Sequence, residues 1–178
     1  TLVSTLIICY AAMAICCAYV ASIGWYLSVV DVLLLAFDIF LLVMFGTALS
    51  SVINIFLSSQ GQIAAVGTIM SAGYGFICGA YMPISSFGEG LQTIISFLPG
   101  TYGTALVRNH AMGGAIAEME KAGVPKEAVD ELRDVLDCNL YFFGNKVDVG
   151  TMYLILGLTV AALVAVYVIM NTLKKSDR

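Results

Sequence analysis

A short apolar insert bracketed by prolines, from Met82-Pro83-Ile84 to Leu98-Pro99-Gly100, separates the third and last long apolar runs of this chain. It constrains the fold more than any other feature, because it is too short to cross a bilayer. As helix, the stretch from Ile84 to Leu98 covers only ~22 Å at the standard rise, against a hydrocarbon core of about 30 Å. Pro83 and Pro99 cannot sit inside a continuing helix, and Gly88-Glu89-Gly90 places a turn and a charge in the middle. The pattern reads as a re-entrant helical hairpin. Non-helical backbone at membrane depth persists only where it is buried in protein or faces a water-filled cavity, so the hairpin is expected to cap a passage.

The rest of the chain agrees with a membrane setting. Of 178 residues, 60% are hydrophobic and 11% charged, with a mean hydropathy of +0.95, which excludes an ordinary soluble globular domain. Four runs are long and apolar enough to span: 2–23, 31–57, 62–82 and 149–170. The first lacks a basic leader and ends at Gly24-Trp25-Tyr26, which reads as an interfacial anchor rather than a cleavage site. The expected fold is an all-α membrane protein with four transmembrane helices, a re-entrant helical hairpin and a small outer helical segment. Its parts are three transmembrane helices over 1–83, the hairpin and an interface helix over 84–114, an extracytoplasmic helical segment over 115–148, and the last span with its tail over 149–178. Lys174, Lys175 and Arg178 directly after the last span favour a cytoplasmic C-terminus. The loop around Ser58, Ser59 and Gln60 then also faces the cytoplasm, and the location is the cell membrane.

The third run carries Gly67, Ser71, Gly75 and Gly79 at intervals of four, so small residues line one helix face and allow another helix to come close. Gly46, Ser50, Asn54 and Ser58 repeat the pattern in the second run. After the insert, Thr101 to Met112 suits a short interface helix ending at Gly113-Gly114. A further short helix over 115–122 stops at Gly123, and Pro125 opens an amphipathic one with Val129, Leu132, Leu136 and Leu140 on its apolar side. The aromatic run Tyr141-Phe142-Phe143 either anchors at lipid headgroups or packs on the hairpin, packing being preferred because Gly144 and Asn145 allow a tight turn. Cys9, Cys16 and Cys17 read as small apolar residues, and Cys78 and Cys138 could approach each other.

Asp38 lies about two turns inside the second span, where a carboxylate costs roughly 2.5–3.5 kcal/mol unless paired or hydrated. It either lines a path for cationic cargo or protons, or hydrogen-bonds a neighbouring helix. Asp31 and Asn54 extend a polar track along the same helix, and Ser50 and Ser71 are further path candidates. Glu89 at the hairpin tip either gates exit or meets outer water. Arg108 is expected to fix the interface helix by pairing with Glu89, another outer carboxylate or a lipid phosphate. His110 is the single histidine, which excludes a histidine metal cluster and suggests a solvated side chain. No catalytic residue, metal or bound cofactor is expected.

Gly79-Ala80-Tyr81-Met82-Pro83, Leu98-Pro99-Gly100-Thr101-Tyr102, Arg108 and Gly113-Gly114 together resemble the signature region of ABC-2 type exporter permeases. Cys138-Asn139-Leu140-Tyr141-Phe142-Phe143-Gly144 is similar to the drug-type permeases of Gram-positive bacteria. The resemblance implies that the four spans are the third to sixth helices of a six-helix permease, with two helices and a cytoplasmic coupling helix preceding Thr1. It implies a dimer of such permeases, homo- or heteromeric, working with ABC ATPase subunits that contact Ser58, Ser59 and Gln60. ATP would be bound by that partner, since the chain has no Gly-x-x-x-x-Gly-Lys-Ser/Thr sequence. The implied function is export of amphipathic drugs, peptides or lipids, with membrane lipids but no nucleic acid as further partners. Two rivals stand beside it: a non-transporting accessory or immunity-type membrane subunit, and a proton-coupled carrier using Asp38.

Overall fold

The computed structural model describes residues 2–176, and Thr1, Asp177 and Arg178, including the end of the basic tail, lie outside the described residues. The chain is helical apart from one small hairpin. In order it forms α1 (Leu2–Ile23), α2 (Val29–Ile55), α3 (Gln60–Ile77), a 3-10 turn (Ile84–Ser86), α4 (Glu89–Ile95), α5 (Pro99–Lys121) and α6 (Lys126–Val135). The antiparallel strands β1 (Tyr141–Phe142) and β2 (Asn145–Lys146) precede the last helix, α7 (Val149–Ser176). Among the described residues, α1, α2 and α7 are the helices long and apolar enough to cross a membrane, which marks the chain as a membrane-spanning protein.

Helix α2 starts two residues before the expected run because Ser28 caps it. The Ser28 hydroxyl accepts from the Asp31 N–H at 3.1 Å and the Asp31 carboxylate accepts from the Ser28 N–H at 2.9 Å, a reciprocal capping box. Ser59 and Gln62 build the same device at the start of α3. At its other end α3 stops earlier than the expected run, at Ile77. The Ala80 N–H bonds to the Gly75 carbonyl at 3.0 Å and the Gly79 N–H to that of Phe76 at 3.4 Å, with Gly79 at φ 81°, a left-handed stop that only glycine adopts at low cost. Gly79 therefore ends α3 rather than continuing its stripe of small residues along the helix. The resulting 18 residues of α3 cover about 27 Å, just short of the hydrocarbon core.

The prolines stand where the sequence places breaks. Pro83 precedes the 3-10 turn and Pro99 occupies the first turn of α5, where its missing N–H costs nothing. Beyond Pro99 the structure corrects the expectation of a short interface helix ending at Gly113-Gly114 and a second helix after it. A single helix, α5, runs through both glycines for 23 residues. Each helical glycine costs about 1 kcal/mol in propensity. Gly114 repays this by close approach, since a Cβ there would overlap the Tyr26 carbonyl oxygen in the link between α1 and α2. Helix α5 is thus an interior element, packed between α2 and α7. Phe45, Ile95, Tyr102, Ala105, Leu106, Met152 and Leu156 form the core there. Helix α1 packs mainly on α2 and buries no residue, so its apolar surface is largely exposed.

Candidate functional site

The second and third helices diverge enough to leave a cavity of about 380 Å³ between them. Leu42, Phe45, Leu49, Ile53, Val66 and Met70 give it apolar walls, and no charged side chain lines it. Three of the expected path residues, Ser50, Asn54 and Ser71, face it together with Gly67 and Gly75. Their polar atoms are held locally: the Asn54 amide reaches Ser50 Oγ at 3.5 Å, and the Ser71 hydroxyl donates to the Thr68 carbonyl at 3.2 Å. Toward the end of α3 the cavity meets Tyr74, Cys78, Gly100 and Thr104. There α5 is tied to α3 by the Gly100 N–H bonding to the Tyr74 hydroxyl at 3.2 Å and by the Thr104 hydroxyl donating to the Cys78 carbonyl at 2.7 Å. Gly46 and Gly67 border open space, with nothing within 4 Å of an added Cβ, whereas one on Gly75 would meet the Tyr81 ring at 3.0 Å.

Asp38 does not line this cavity. It is fully buried toward the start of α2, where Oδ2 lies 2.5 Å from His110 Nδ1 of α5 and Oδ1 accepts from the Tyr153 hydroxyl of α7. The position of His110 corrects the expectation of a solvated side chain: it is only 13% exposed. Its ring stacks near that of Tyr153, with centroids 6.3 Å apart. A buried carboxylate is thereby met by polar side chains from two other helices, which is how a membrane interior accommodates such a group.

A second polar knot sits at the insert. Arg108 reaches Asp137 at 2.9 Å and also donates to the Gly79 carbonyl. Asp137 in turn accepts from the N–H groups of Ile84 at 2.5 Å and Ser85 at 3.3 Å. One carboxylate thus joins the end of α6 to α5, and to the 3-10 turn behind Pro83. Asp137 itself adopts φ 51°, in a helix stop of the same kind as that at Gly79, closed by the Cys138 N–H on the Arg133 carbonyl at 2.8 Å. Arg108 therefore pairs with Asp137 and not with Glu89, which opens α4 as an exposed residue.

The aromatic run packs on the insert, Phe97 meeting Phe142 at 5.1 Å and Phe143 at 6.0 Å edge to face. The Tyr141 hydroxyl donates to Asp134 at 3.1 Å, and burial together with that carboxylate pushes its phenol up from the ordinary value. Cys78 and Cys138 are both buried free thiols. Burial also pushes the Cys138 thiol up, against the opposing pull of Arg133 and Arg108. Ser58, Ser59 and Gln60 are exposed at the turn between α2 and α3, where Ser59 is engaged as the cap of α3.

Sequence reasoning singled out Asp38 and Arg108, placed His110 in solvent rather than beside Asp38, and left the partner of Arg108 open among Glu89, another carboxylate and a lipid phosphate. A lone carboxylate in an apolar helix demands a donor, and the chain's single histidine was the available signal; nothing local announces Asp137. Comparison with protein-family models, with curated proteins and with solved structures finds no match to this chain.

Proposed function

We propose that this chain is the membrane-spanning permease part of an ATP-driven exporter of the ABC-2 type, moving amphipathic drugs, peptides or lipids out of the cell by alternating access. The observation that carries the reading is the cavity between α2 and α3, apolar along its walls and uncharged, yet faced by Ser50, Asn54 and Ser71. Such a lining suits molecules that are mostly apolar with a few hydrogen-bonding groups. On this reading α3 is a fourth, short span, accommodated by local thinning of the bilayer. The insert from the 3-10 turn through α4 is a re-entrant hairpin, held in place by the Arg108–Asp137 pair. The protein resides in the cell membrane with its C-terminus in the cytoplasm. A second permease subunit completes the transporter, and a separate ABC ATPase binds ATP and meets the turn at Ser58, Ser59 and Gln60. ATP-driven closure moves the cytoplasmic helix ends, and cargo leaves past the hairpin.

The test is ATPase activity of the full-length protein reconstituted in liposomes with its candidate ATPase, across a panel of uncharged and cationic amphiphiles. Stimulation by some of them, abolished by Ser71→Leu, is expected. Absence of any associated ATPase, or of any compound effect, overturns the reading.

A further inference from the structure

Three titratable side chains from three different helices converge in the interior: Asp38 of α2, His110 of α5 and Tyr153 of α7. No lysine or arginine occurs in α1, α2 or α3, and Arg108, two positions before His110, is turned to Asp137 and the Gly79 carbonyl. His110 is therefore the side chain in contact with Asp38 that can carry a positive charge. Its side chain is 13% exposed, against 0% for Asp38, so the imidazole is the more accessible member of the pair.

Beyond Tyr153, the neighbouring titratable groups have partners of their own. On α2, Asp31 lies beside Gly113 of α5, with one oxygen engaged by the Ser28 N–H at 2.9 Å. Just before α7, Asp148 accepts from the Gly150 N–H at 2.9 Å, and on α7 Tyr153 donates to Asp38. On α1, the Tyr10 hydroxyl bonds to the Ala36 carbonyl at 3.2 Å.

We infer that Asp38 and His110 form a proton-binding site whose occupancy ties α5 to α2 and α7. With His110 neutral, Nδ1–H donates to a carboxylate whose charge is buried without a counter-charge. When solvent delivers a proton to Nε2, the same contact becomes an ion pair and the buried charge is compensated. A buried charge left uncompensated is strongly unfavourable, so proton uptake tightens the three-helix contact and proton loss loosens it. Chains of carboxylate and imidazole in a membrane interior serve proton binding and transfer for this reason. The inference does not rest on the export reading, since it concerns the junction of α2, α5 and α7 and not the cavity.

The experiment uses the full-length protein in lipid nanodiscs, labelled with 15N-histidine, the His110 signal being assigned by its loss in His110→Gln. Solid-state NMR between mildly alkaline and mildly acidic buffer reports the protonation of the ring. The expected result is a reversible change to imidazolium in wild type, with the imidazolium signal weakened or lost in Asp38→Asn. Hydrogen exchange of α5, corrected for the intrinsic pH dependence, supplies a second readout. Protection is expected to rise on acidification in wild type and to lose that dependence in His110→Gln. A ring that stays in one form throughout, or α5 protection whose pH dependence is the same in His110→Gln, overturns the inference and leaves a structural hydrogen bond only.

Discussion

Arg108 and Asp137 lie 29 positions apart and meet at 2.9 Å, and their contact explains why an aspartate occupies a left-handed backbone position at the end of α6. The two other helix stops of this form, at Gly79 and Gly123, use glycine. Position 137 forgoes that ease because its carboxylate also serves the Ile84 and Ser85 N–H groups.

Replacing Asp137 by alanine leaves Arg108 and two backbone donors without their acceptor while keeping the strained backbone. The expected loss is about 3–5 kcal/mol, the range for breaking a buried ion pair. Asp137→Gly loses the same contacts but relieves the left-handed strain, so it is expected to be less damaging by about 1 kcal/mol. Thermal denaturation in detergent, followed by fluorescence-detected size exclusion, ranks the two. An alanine variant as stable as the glycine one would show that the backbone strain is absent.

At Gly114 the helix backbone itself touches the link between α1 and α2, so any side chain must displace Tyr26 and Leu27. Gly114→Ala is expected to cost about 1–3 kcal/mol by overpacking. Gly46→Ala, with nothing within 4 Å of the added Cβ, should be neutral or stabilising by up to about 1 kcal/mol through helix propensity. The same detergent melt on both variants checks the contrast, which a uniform effect of the two substitutions would contradict.

These positions also show how far the sequence could be read. Long apolar runs and Pro99 locate α1, α2, α7 and the start of α5, because length, hydropathy and a missing N–H act locally. Gly113-Gly114 misleads for a physical reason: a glycine pair signals a break unless a neighbour needs the space, and that neighbour, Tyr26, is remote in the chain. The partner of Asp38 lies 72 positions away and that of Arg108 lies 29 away, beyond any periodicity. Burial of α5 was equally hidden, since its polar residues Thr104, Arg108, Asn109 and His110 bond to groups in other segments.

The Tyr141 phenol should titrate above the ordinary phenol range near 10, because partial burial and the Asp134 carboxylate both disfavour phenolate. A group whose folded value is raised adds stability below its unfolded value and loses it as pH rises through the folded one. The Tyr141–Asp134 bond should therefore hold at neutral pH and fail only in strong alkali. Phenolate absorbance in Tyr141→Phe, subtracted from wild type, isolates the transition. Asp134→Asn is expected to bring it down toward the ordinary value, and an unmoved midpoint would assign the shift to burial alone.

Because the cavity between α2 and α3 is unfilled by any side chain, adding bulk there should, on the proposed export function, separate folding from transport. Ser71→Leu places a branched apolar group where the hydroxyl is already satisfied by its own helix, by the Thr68 carbonyl at 3.2 Å. No buried partner is orphaned, and the new side chain gains apolar contacts with its walls, so stability should change by less than about 1 kcal/mol. Cargo-stimulated ATPase activity and efflux from proteoliposomes should nevertheless fall, since about 380 Å³ leaves little room for both a leucine and an amphiphile. Cys138→Ala, outside the cavity lining, serves as the comparison and should leave transport intact. Full transport by Ser71→Leu would remove the cavity from the cargo path, whereas equal loss of stability and transport would mean that α3 packs there in the assembled transporter.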